Sequence, residues 1–338
     1  MLLSICIPTH HGRAEVLRRA LDSVFDQLGP EESRDVEVCV SDNASEDGTE
    51  QLVEDYRDRG PALRYRRNPT NLGLAPNLLG VVDLAQGTFC WLLGSDDTIE
   101  PGGIAKVLAI LREHVDVAGV TLNRLRVAHD DSGWSQEDPL DELPDDPGTV
   151  HLYEDAPAIF ANVGLSQDYM STQIVNREVW RAALQTLDES ELRAAEDLAH
   201  LLVLGRMIQH RPRWIWFPER LVLHRTGTSA LDEQLGHDFT AFQLVIMRGR
   251  SRVWSMLFGR NSPLFRTVMG KAYLRSARPR NLAGLKVWPR HGLAEDGRLL
   301  VGMTRHFWWL PRFWLLSFPV LLCPHWVVKL VDRARRAR

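Results

Sequence analysis

The chain has 338 residues, and its 40 Lys and Arg against 44 Asp and Glu give a formal net charge of −4 at pH 7. This length is ample for one large α/β core with an additional segment, and the charge argues against a nucleic-acid partner. The four cysteines show no zinc-site spacing, and three lie in predicted buried strands, as expected for core residues in a reducing compartment. The first strand begins at Leu2 without a preceding basic segment, so we expect no signal peptide.

The first hundred residues predict alternating strands and helices. Apolar runs predict strands at residues 2–9, 36–40, 63–66 and 89–93, and helical patterns lie between them at 13–25, 49–59 and 75–85. Such alternation is typical of a mostly parallel sheet whose strands all have their carboxyl ends at one edge. We therefore predict an α/β fold, with a Rossmann-like sheet flanked by helices.

The fourth predicted strand ends in the most informative residues of the chain. Gly94 and Ser95 follow the apolar run, and the adjacent carboxylates Asp96 and Asp97 come next. Two carboxylates at the end of a strand repel each other unless a cation lies between them, and Mg²⁺ or Mn²⁺ often bridges such oxygens to substrate phosphates. The pattern indicates a metal–diphosphate site, and a turn or helix cap is the alternative.

The loops after the four strands, taken in order, resemble the motif series of family 2 glycosyltransferases. The matching residues are Pro8-Thr9, Ser41-Asp42-Asn43-Ala44-Ser45 with Asp47-Gly48-Thr49, Asn71-Leu72-Gly73 with Asn77, and Ser95-Asp96-Asp97. The resemblance is strong over about 120 residues and looser over about 100 more. It implies a GT-A fold, a nucleoside-diphosphate sugar donor, Mn²⁺ or Mg²⁺, and inversion at the anomeric carbon.

The resemblance also implies roles for individual residues of these loops. Asp97 would bind the metal directly, and Asp96 would bind the ribose or orient Asp97. The residues implied in donor binding are Pro8 and Thr9 along the base and ribose, Asp42 as acceptor of a hydrogen bond from the base, and Asn71, Gly73 and Asn77. A plain turn remains the alternative for Asn71 and Gly73, and a helix cap for Asp42.

Three further candidates lie in the second half of the chain. Asp197 follows Glu196 at the start of a predicted apolar helix, residues 196–208, and the resemblance implies that Asp197 is the catalytic base. Acids that only complement the helix amino terminus are the alternative, and for Glu196 and His200 we expect a surface pair rather than a metal pair. His224 could reach the metal and Arg225 the diphosphate, although an ordinary histidine is the alternative.

The remaining chain predicts further elements and an acidic segment. Helices are predicted at residues 102–114, 156–163, 179–187, 239–258 and 263–277, strands at 117–122 and 172–175, and edge-like strands at 214–217 and 221–223. Residues 130–147 carry eight acids and no Lys or Arg, which favours a solvated loop over an acceptor lid. We predict a nucleotide-sugar-binding half at 1–125, an acidic loop at 126–150, an acceptor-side half at 151–235 and a helical extension at 236–338.

The extension ends in an unusual segment, residues 306–331, with four Trp and three Phe among many Leu and Val. Pro311, Pro319 and Pro324 interrupt it, so an interfacial membrane contact is favoured over a membrane span, and basic residues at the end of the chain suit anionic headgroups. Packing of this segment on its own domain or on a second subunit is the alternative. We expect a cytoplasmic enzyme that is peripheral on the inner face of the cell membrane.

The function predicted from these observations is transfer of a hexose or deoxyhexose to a hydroxyl acceptor, a lipid-linked glycan or surface-polysaccharide precursor. The loop variants are similar to those of transferases that add deoxysugars in polysaccharide assembly. A nucleotidylyltransferase is one alternative, but the loop from Thr9 to Arg13 lacks the repeated glycines expected there. A non-catalytic nucleotide-sugar-binding module is the other, and the intact acids argue against it. An oxidoreductase is disfavoured because no G-x-G-x-x-G follows the first strand.

Overall fold

The computed structural model describes residues 1–60, 62–127, 135–137, 148–225, 233–288 and 291–336. Their contacts divide the described chain into two compact units, one ending at Arg225 and the other beginning at Glu233. Most of the predicted acidic loop, residues 128–134 and 138–147, lies outside the described residues. The prediction of a solvated loop rather than an acceptor lid therefore concerns residues that the structure does not describe.

The first unit contains ten strands and nine α-helices among the described residues. The strands are β1 Leu3–Thr9, β2 Val36–Asp42, β3 Ala62–Arg67, β4 Phe89–Leu92, β5 Thr98–Ile99, β6 Gly119–Val127, β7 Ser135–Glu137, β8 His151–Tyr153, β9 Gln173–Asn176 and β10 Trp214–Arg225. The helices are α1 Ala14–Phe25, α2 Glu32–Asp35, α3 Thr49–Glu54, α4 Leu74–Val81, α5 Gly103–Glu113, α6 Ala156–Val163, α7 Arg177–Gln185, α8 Glu189–Ala195 and α9 Ala199–His210.

The strands form one mixed, mostly parallel sheet in the order β3-β2-β1-β4-β9-β6-β10-β5, with β7 beside β6 and β8 beside β10. Strands β1 to β4 are mutually parallel, and β9 runs antiparallel to both β4 and β6. Because β10 is parallel to β6, the carboxyl ends of β1, β2, β3, β4, β6 and β10 all lie at one edge of the sheet. This confirms the α/β class, and it assembles the predicted motif loops at one edge.

The core of this unit lies on both faces of the sheet. Every residue of β1 and β2 is buried, and the apolar side chains of Leu3, Ile5, Val38 and Trp91 belong to one hydrophobic cluster. Strands covered on both faces are continuously apolar rather than alternating, which is why short apolar runs were sufficient to predict them. Cys6, Cys39 and Cys90 are buried on neighbouring strands, as expected for core residues.

Two predictions about the second half of this unit, one of strands and one of a helix, are wrong. The two edge-like strands are one strand, β10, which lies between β6 on one side and β5 and β8 on the other. The register with β6 shifts between Phe217 and Arg220, around Pro218. Proline has no backbone N–H to donate to a ladder, so the strand bulges there instead of ending. The helix predicted at 196–208 is interrupted, because Glu196–Leu198 forms a short 3-10 turn between α8 and α9.

The second unit is helical, as predicted for the carboxyl-terminal extension. Its elements are α10 Phe239–Phe258, α11 Pro263–Ser276, α12 Pro279–Val287, α13 Leu293–Phe307, a π-helical segment Phe313–Ser317, α14 Phe318–Leu322 and α15 His325–Arg336. The buried ammonium of Lys286 donates to Asp296 Oδ1 at 2.7 Å and to the backbone carbonyls of Leu321 and Cys323. His325 Nδ1 lies 2.9 Å from Asp296 Oδ2, so one buried polar cluster holds α12, α13 and the break before α15 together.

The end of the second unit exposes large apolar side chains. Trp308, Leu315 and Trp326 are 63%, 76% and 61% exposed. In the described part of the chain, no single helix is both long and apolar enough for a membrane span. One helix pair, Phe313–Leu322 with His325–Ala334, would satisfy length and composition together, but it is bent by 94°.

Candidate active site

The acid pair lies where β4 ends, and Gly94 leaves room for it. A Cβ atom at Gly94 would lie 3.1 Å from Asp96 Oδ1, from Asp97 Oδ2 and from Ser171 Oγ. The backbone N–H of Gly94 donates to Ser171 Oγ at 2.9 Å. A glycine at this position therefore allows both carboxylates and the serine hydroxyl to approach the backbone closely.

Asp97 is buried and held by hydrogen bonds from two other segments. Its Oδ2 accepts from the hydroxyls of Tyr169 and Ser171, each at 2.5 Å, and its Oδ1 accepts from the backbone N–H of Arg225 at 3.2 Å. Burial and the neighbouring charge of Asp96 raise the pKa of Asp97 from its ordinary value of 3.8 to about 7, although these hydrogen bonds oppose the shift. The hydrogen bonds thus hold the Asp97 carboxylate in one orientation, but they do not fully offset the cost of its negative charge.

Asp96 is partly exposed and faces a buried arginine. Its Oδ2 lies 3.3 Å from a terminal nitrogen of Arg13, which is 3% exposed. The backbone N–H groups of Gly12 and Arg13 donate to Asp47 Oδ2 at 2.6 and 3.1 Å. Asp47 therefore ties the loop after β1 to the loop after β2, and this brings the Arg13 guanidinium to the acid pair.

Asn77 joins the ends of three strands. Its side-chain nitrogen donates to the carbonyls of Thr9 and Ser41 at 3.0 and 3.1 Å. Its side-chain oxygen accepts from Ser41 Oγ at 2.8 Å and from the amide of Asn68 at 3.0 Å. The asparagine amide has two donors and two acceptor positions, and all four are used within the protein. Asn77 therefore orders the loops after β1, β2 and β3.

Asp42, at the end of β2, is also bound by protein groups. Its Oδ1 accepts from the backbone N–H and the hydroxyl of Ser45 at 3.0 and 2.5 Å, and its Oδ2 accepts from Tyr65 at 2.7 Å. Its neighbour Asn43 donates to Asn71 Oδ1 at 2.7 Å and to the carbonyl of Gly73 at 3.2 Å. This network brings together the predicted donor-binding residues, which are Thr9 and Pro8 on β1, Asp42 on β2, and Asn71, Gly73 and Asn77 after β3.

His224 and Arg225 reach this edge of the sheet at the end of β10. The His224 ring stacks on the Tyr169 ring with centroids 4.5 Å apart, and the Arg124 guanidinium lies 4.0 Å from the same tyrosine ring. Tyr169 therefore contacts both Asp97, through its hydroxyl, and His224, through its ring. In the part of the chain that the structure describes, no three His, Cys, Asp or Glu side chains are grouped so as to hold a metal ion.

Asp197 lies in the turn that separates α8 from α9, and this turn packs against α4. Glu196, before it, has φ 52° and ψ −135°, a conformation that costs a non-glycine residue free energy and that recurs at functional sites. The expected surface pair of Glu196 and His200 is wrong, because His200 is buried and its Nε2 lies 3.0 Å from the carbonyl of Asp168. Burial lowers the pKa of His200.

Sequence reasoning missed several residues of the acid-pair site. Arg13 follows Gly12 in the loop after β1, and the sequence pattern there assigns it no role at the site. Tyr169 and Ser171 lie more than 70 residues beyond Asp97, in a segment of short 3-10 turns that matches no motif. Their contact with Asp97 depends on β9, which returns antiparallel to β4.

Residues 4–153 match the sequence model of a family described as glycosyl transferase family 2. The abequosyltransferase RfbV of Salmonella typhimurium is 35% identical over 190 residues, which is 54% of this chain and 55% of that protein. A chondroitin synthase of Pasteurella multocida is 30% identical over 124 residues, 36% of this chain and 12% of the synthase. The chain thus spans about half, or much less, of the length of these relatives.

Two solved structures share the fold. S. aureus TarS 1-349 has a TM-score of 0.60 and 17% identity, and the match covers 92% of this chain and 82% of that one. The mannosyltransferase PcManGT of Pyrobaculum calidifontis, solved with GDP-Man and Mn²⁺, has a TM-score of 0.55 and 17% identity. The match covers 98% of this chain and 87% of that one. At this identity the likeness concerns the fold alone.

Proposed function

We propose that this chain transfers a sugar from a nucleoside-diphosphate sugar to a hydroxyl acceptor, with inversion at the anomeric carbon, since residues 4–153 match glycosyl transferase family 2 and the chain has the GT-A fold. The observation that carries the proposal is the acid pair Asp96 and Asp97 at the carboxyl end of β4. Groups from three other segments converge on it: Arg13, the hydroxyls of Tyr169 and Ser171, and the backbone of Arg225. Ligands of open α/β sheets bind at this edge.

The donor class is supported by the chemistry of solved relatives. TarS was solved with UDP-GlcNAc and PcManGT with GDP-Man, both nucleoside-diphosphate sugars. In this chain we assign the donor nucleoside to the loops that carry Pro8, Thr9, Asp42, Asn71 and Gly73. Asn77 orders these loops through its internal hydrogen bonds, and Asp96, held by Arg13, faces the ribose. Arg225 is assigned to the diphosphate, because a guanidinium can bind it bidentately.

The residues of the acid pair fit a divalent metal, Mn²⁺ or Mg²⁺. Burial and the neighbouring charge of Asp96 raise the pKa of Asp97 to about 7, so a hard cation beside Asp97 would be favoured. We assign Asp97 as direct ligand and His224 as a second, with Tyr169 and Ser171 orienting the carboxylate. When bound, such a metal stabilises the negative charge that develops on the leaving diphosphate.

The acceptor hydroxyl must lose a proton, and we assign this step to Asp197. An inverting transfer needs one carboxylate on the face of the sugar opposite the leaving group. The strained backbone at Glu196 and the packing of the turn Glu196–Leu198 on α4 support a site in which Asp197 is held in a fixed position. The carboxylate accepts the proton as the hydroxyl oxygen bonds to the anomeric carbon and the bond to the diphosphate breaks.

We infer the class of the transferred sugar from a relative, and the acceptor is a proposal. The similarity to an abequosyltransferase supports a deoxyhexose, although a hexose remains within the proposal. A lipid-linked glycan or surface-polysaccharide precursor is the proposed acceptor. The exposed Trp and Leu side chains of residues 306–331 support attachment to a membrane surface, and we place the enzyme on the inner, cytoplasmic face.

A thermal-shift screen of nucleoside diphosphates, each with Mn²⁺ and with a chelator, tests the proposal. Binding to the native state raises the unfolding temperature by mass action, so we expect at least one nucleotide to do so, and more strongly with Mn²⁺. Asp97→Asn should abolish the Mn²⁺-dependent part. The matched control is Asp55→Asn, an exposed carboxylate of the same unit away from the acid pair. Equal nucleotide affinity with Mn²⁺ and chelator in the wild type would contradict the metal assignment, and no binding at all would contradict the donor class.

A further inference from the structure

A second polar cleft lies in the first unit, at the amino-terminal ends of the strands. Its volume is about 690 Å³, and four arginines line it, Arg57, Arg64, Arg177 and Arg181. Arg64 stands early in β3, which is the edge strand of the sheet. Arg177 begins α7 directly after Asn176, which pairs with Phe89 at the start of β4.

Three of these arginines are anchored through Nε and not through their terminal nitrogens. Arg64 Nε donates to Glu37 Oε2 at 2.7 Å, Arg177 Nε donates to the carbonyl of Gly87 at 2.7 Å, and Arg57 Nε donates to Glu54 at 2.8 Å. Within the described residues, their Nη groups have no protein partner. Arg181 follows Arg177 by four residues on the same helix face and has no side-chain hydrogen bond or ion pair within the described ranges.

The carboxylates near the cleft, Glu37, Glu54 and Asp83, number one fewer than its four arginines and leave it with a net positive charge. Glu37 is buried, and its Oε1 accepts from Ser4 Oγ at 2.6 Å and from the backbone N–H of Gln86 at 2.5 Å. Burial acts to raise the pKa of Glu37, but the hydrogen bonds from Ser4 and Arg64 outweigh it and hold the pKa below its ordinary value. Glu37 therefore stays ionised and serves to fix Arg64. Asp83 is the one carboxylate among the described lining residues.

We propose that this cleft binds a phosphate-bearing anion with at least two negative charges, of the diphosphate or phosphomonoester class. A guanidinium anchored at Nε presents its two Nη groups in a fixed fork, which matches two phosphate oxygens and loses little entropy on binding. Several such forks around one cleft suit a ligand larger than a single phosphate. The anion comes either from a soluble phosphate compound or from an anionic lipid headgroup.

The cleft is separate from the acid pair and does not rest on the proposed function. Asp96 and Asp97 follow the carboxyl end of β4, whereas Gln86 and Arg177 lie at its amino end. Strands β1 and β2 have seven residues each, so the two edges are roughly 20 Å apart at about 3.3 Å per residue. An anion bound here cannot be attacked or released at the acid pair, and its role is docking or regulation.

Calorimetric titration of the full chain with inorganic diphosphate, in the presence of a chelator, tests the site. The wild type should bind, and Arg181→Glu should weaken binding at least about tenfold, because it replaces an attractive charge by a repulsive one. Arg57→Ala removes one attractive charge without adding a repulsive one, so it should weaken binding less. The matched control Arg211→Glu makes the same charge change at an exposed arginine outside the cleft and should leave binding unchanged. Unfolding temperatures within a few degrees of wild type verify that each variant folds.

Flotation with phosphatidylglycerol and phosphatidylcholine vesicles distinguishes the two sources. If Arg181→Glu loses diphosphate binding but floats as the wild type does, the ligand is a soluble phosphate compound. If it also loses flotation with phosphatidylglycerol, the ligand is a headgroup. The proposal is overturned if Arg181→Glu equals the wild type in both arms, or if the wild type neither binds diphosphate nor prefers phosphatidylglycerol. Donor binding with Mn²⁺ should be unaffected in Arg181→Glu, so failure of the proposed function would be seen separately.

Discussion

At the scale of single residues, polar side chains at the ends of the strands divide into two kinds. Asn77 and Asp42 are buried, and protein donors and acceptors satisfy their polar atoms. Asp97 is just as buried and equally well bonded, but its charge faces that of Asp96. The first kind orders the loops through internal hydrogen bonds, whereas the charge of the second faces a like charge that a cation can offset.

The raised pKa of Asp97 predicts a specific pH dependence of stability in the metal-free protein. Between about pH 4 and about pH 7 the folded protein holds a proton that the unfolded carboxyl has lost, so the free energy of unfolding should fall as pH rises through this window. Asp97→Asn cannot ionise and should not show this part of the decrease. Each pKa unit corresponds to about 1.4 kcal/mol, so the two proteins should diverge by at least about 1 kcal/mol.

The measurement is urea unfolding in chelator at about pH 5 and about pH 8, for wild type, Asp97→Asn and the exposed control Asp55→Asn. Titration of other groups is common to all three proteins and cancels in the comparison. Identical pH responses of the wild type and Asp97→Asn would show that Asp97 ionises as an ordinary carboxyl.

Asn77→Ala should destabilise the first unit strongly. The substitution removes one buried hydrogen bond from each of the carbonyls of Thr9 and Ser41, from Ser41 Oγ and from the amide of Asn68. We expect a loss of about 2–4 kcal/mol in the free energy of unfolding. Asn71→Ala is the control, because Asn71 is exposed and water can replace its bonds, so its loss should stay below about 1 kcal/mol. Urea unfolding followed by circular dichroism measures both, and equal losses would argue against this role for Asn77.

At the scale of elements, two irregularities shape the site. The bulge at Pro218 lets one strand, β10, continue to His224 and Arg225 at the edge of the sheet that carries the acid pair. The break at Glu196 ends α8 and begins α9, so that Asp197 lies in a turn and not inside a long helix. Sequence periodicity predicts regular helices and strands well but does not reveal such interruptions, because they are decided by what packs around them.

Asp197→Asn tests the assignment of the base at this break. The variant keeps the shape of the side chain but cannot accept a proton, so turnover should fall roughly a hundredfold or more, with donor KM nearly unchanged. Glu196→Gln is the matched control and should retain activity within a few-fold. Release of nucleoside diphosphate measures the rate, and nuclear magnetic resonance of the product measures its anomeric configuration. Wild-type turnover in Asp197→Asn, or retained configuration, would exclude Asp197 as the base of an inverting transfer.

At the scale of the whole molecule, the chain combines a mostly parallel sheet unit with a helical unit of different surface chemistry. The helical unit buries Lys286 with Asp296 at the break before α15, yet it leaves Trp308, Leu315 and Trp326 largely exposed. Contiguous exposed apolar side chains are typical of surfaces that contact a membrane or another protein.

Replacing Leu315 and Trp326 together by serine tests membrane attachment without removing the buried residues of the helical unit. Burial of one such side chain is worth about 1.5–3 kcal/mol, so partitioning onto phosphatidylglycerol vesicles should fall about tenfold or more. Val115→Ser, an exposed apolar side chain of the sheet unit, should have no effect. Vesicle flotation measures the bound fraction. If the double variant binds vesicles as well as the wild type, another surface is responsible.

The sequence by itself determined the first four strands, the alternation of helices between them and the motif loops at their ends. Apolar runs and turn residues are local signals, and covalent order places each loop directly after its strand. The resemblance to family 2 and the fold class follow from these signals; residues 4–153 match the family model, and the fold class is confirmed. The aromatic character of residues 306–331 is equally local, although what it contacts stays a prediction.

Only the tertiary structure decided which groups meet at the acid pair and at the arginine cleft. Tyr169 and Ser171 reach Asp97 because β9 runs antiparallel beside β4, and the same pairing places Arg177 at the cleft. The pKa of Asp97 and the partners of Asn77 likewise depend on residues tens of positions away. Hydrogen bonds and charge interactions depend on distance in space, and a linear pattern carries no such distances until the strands are paired.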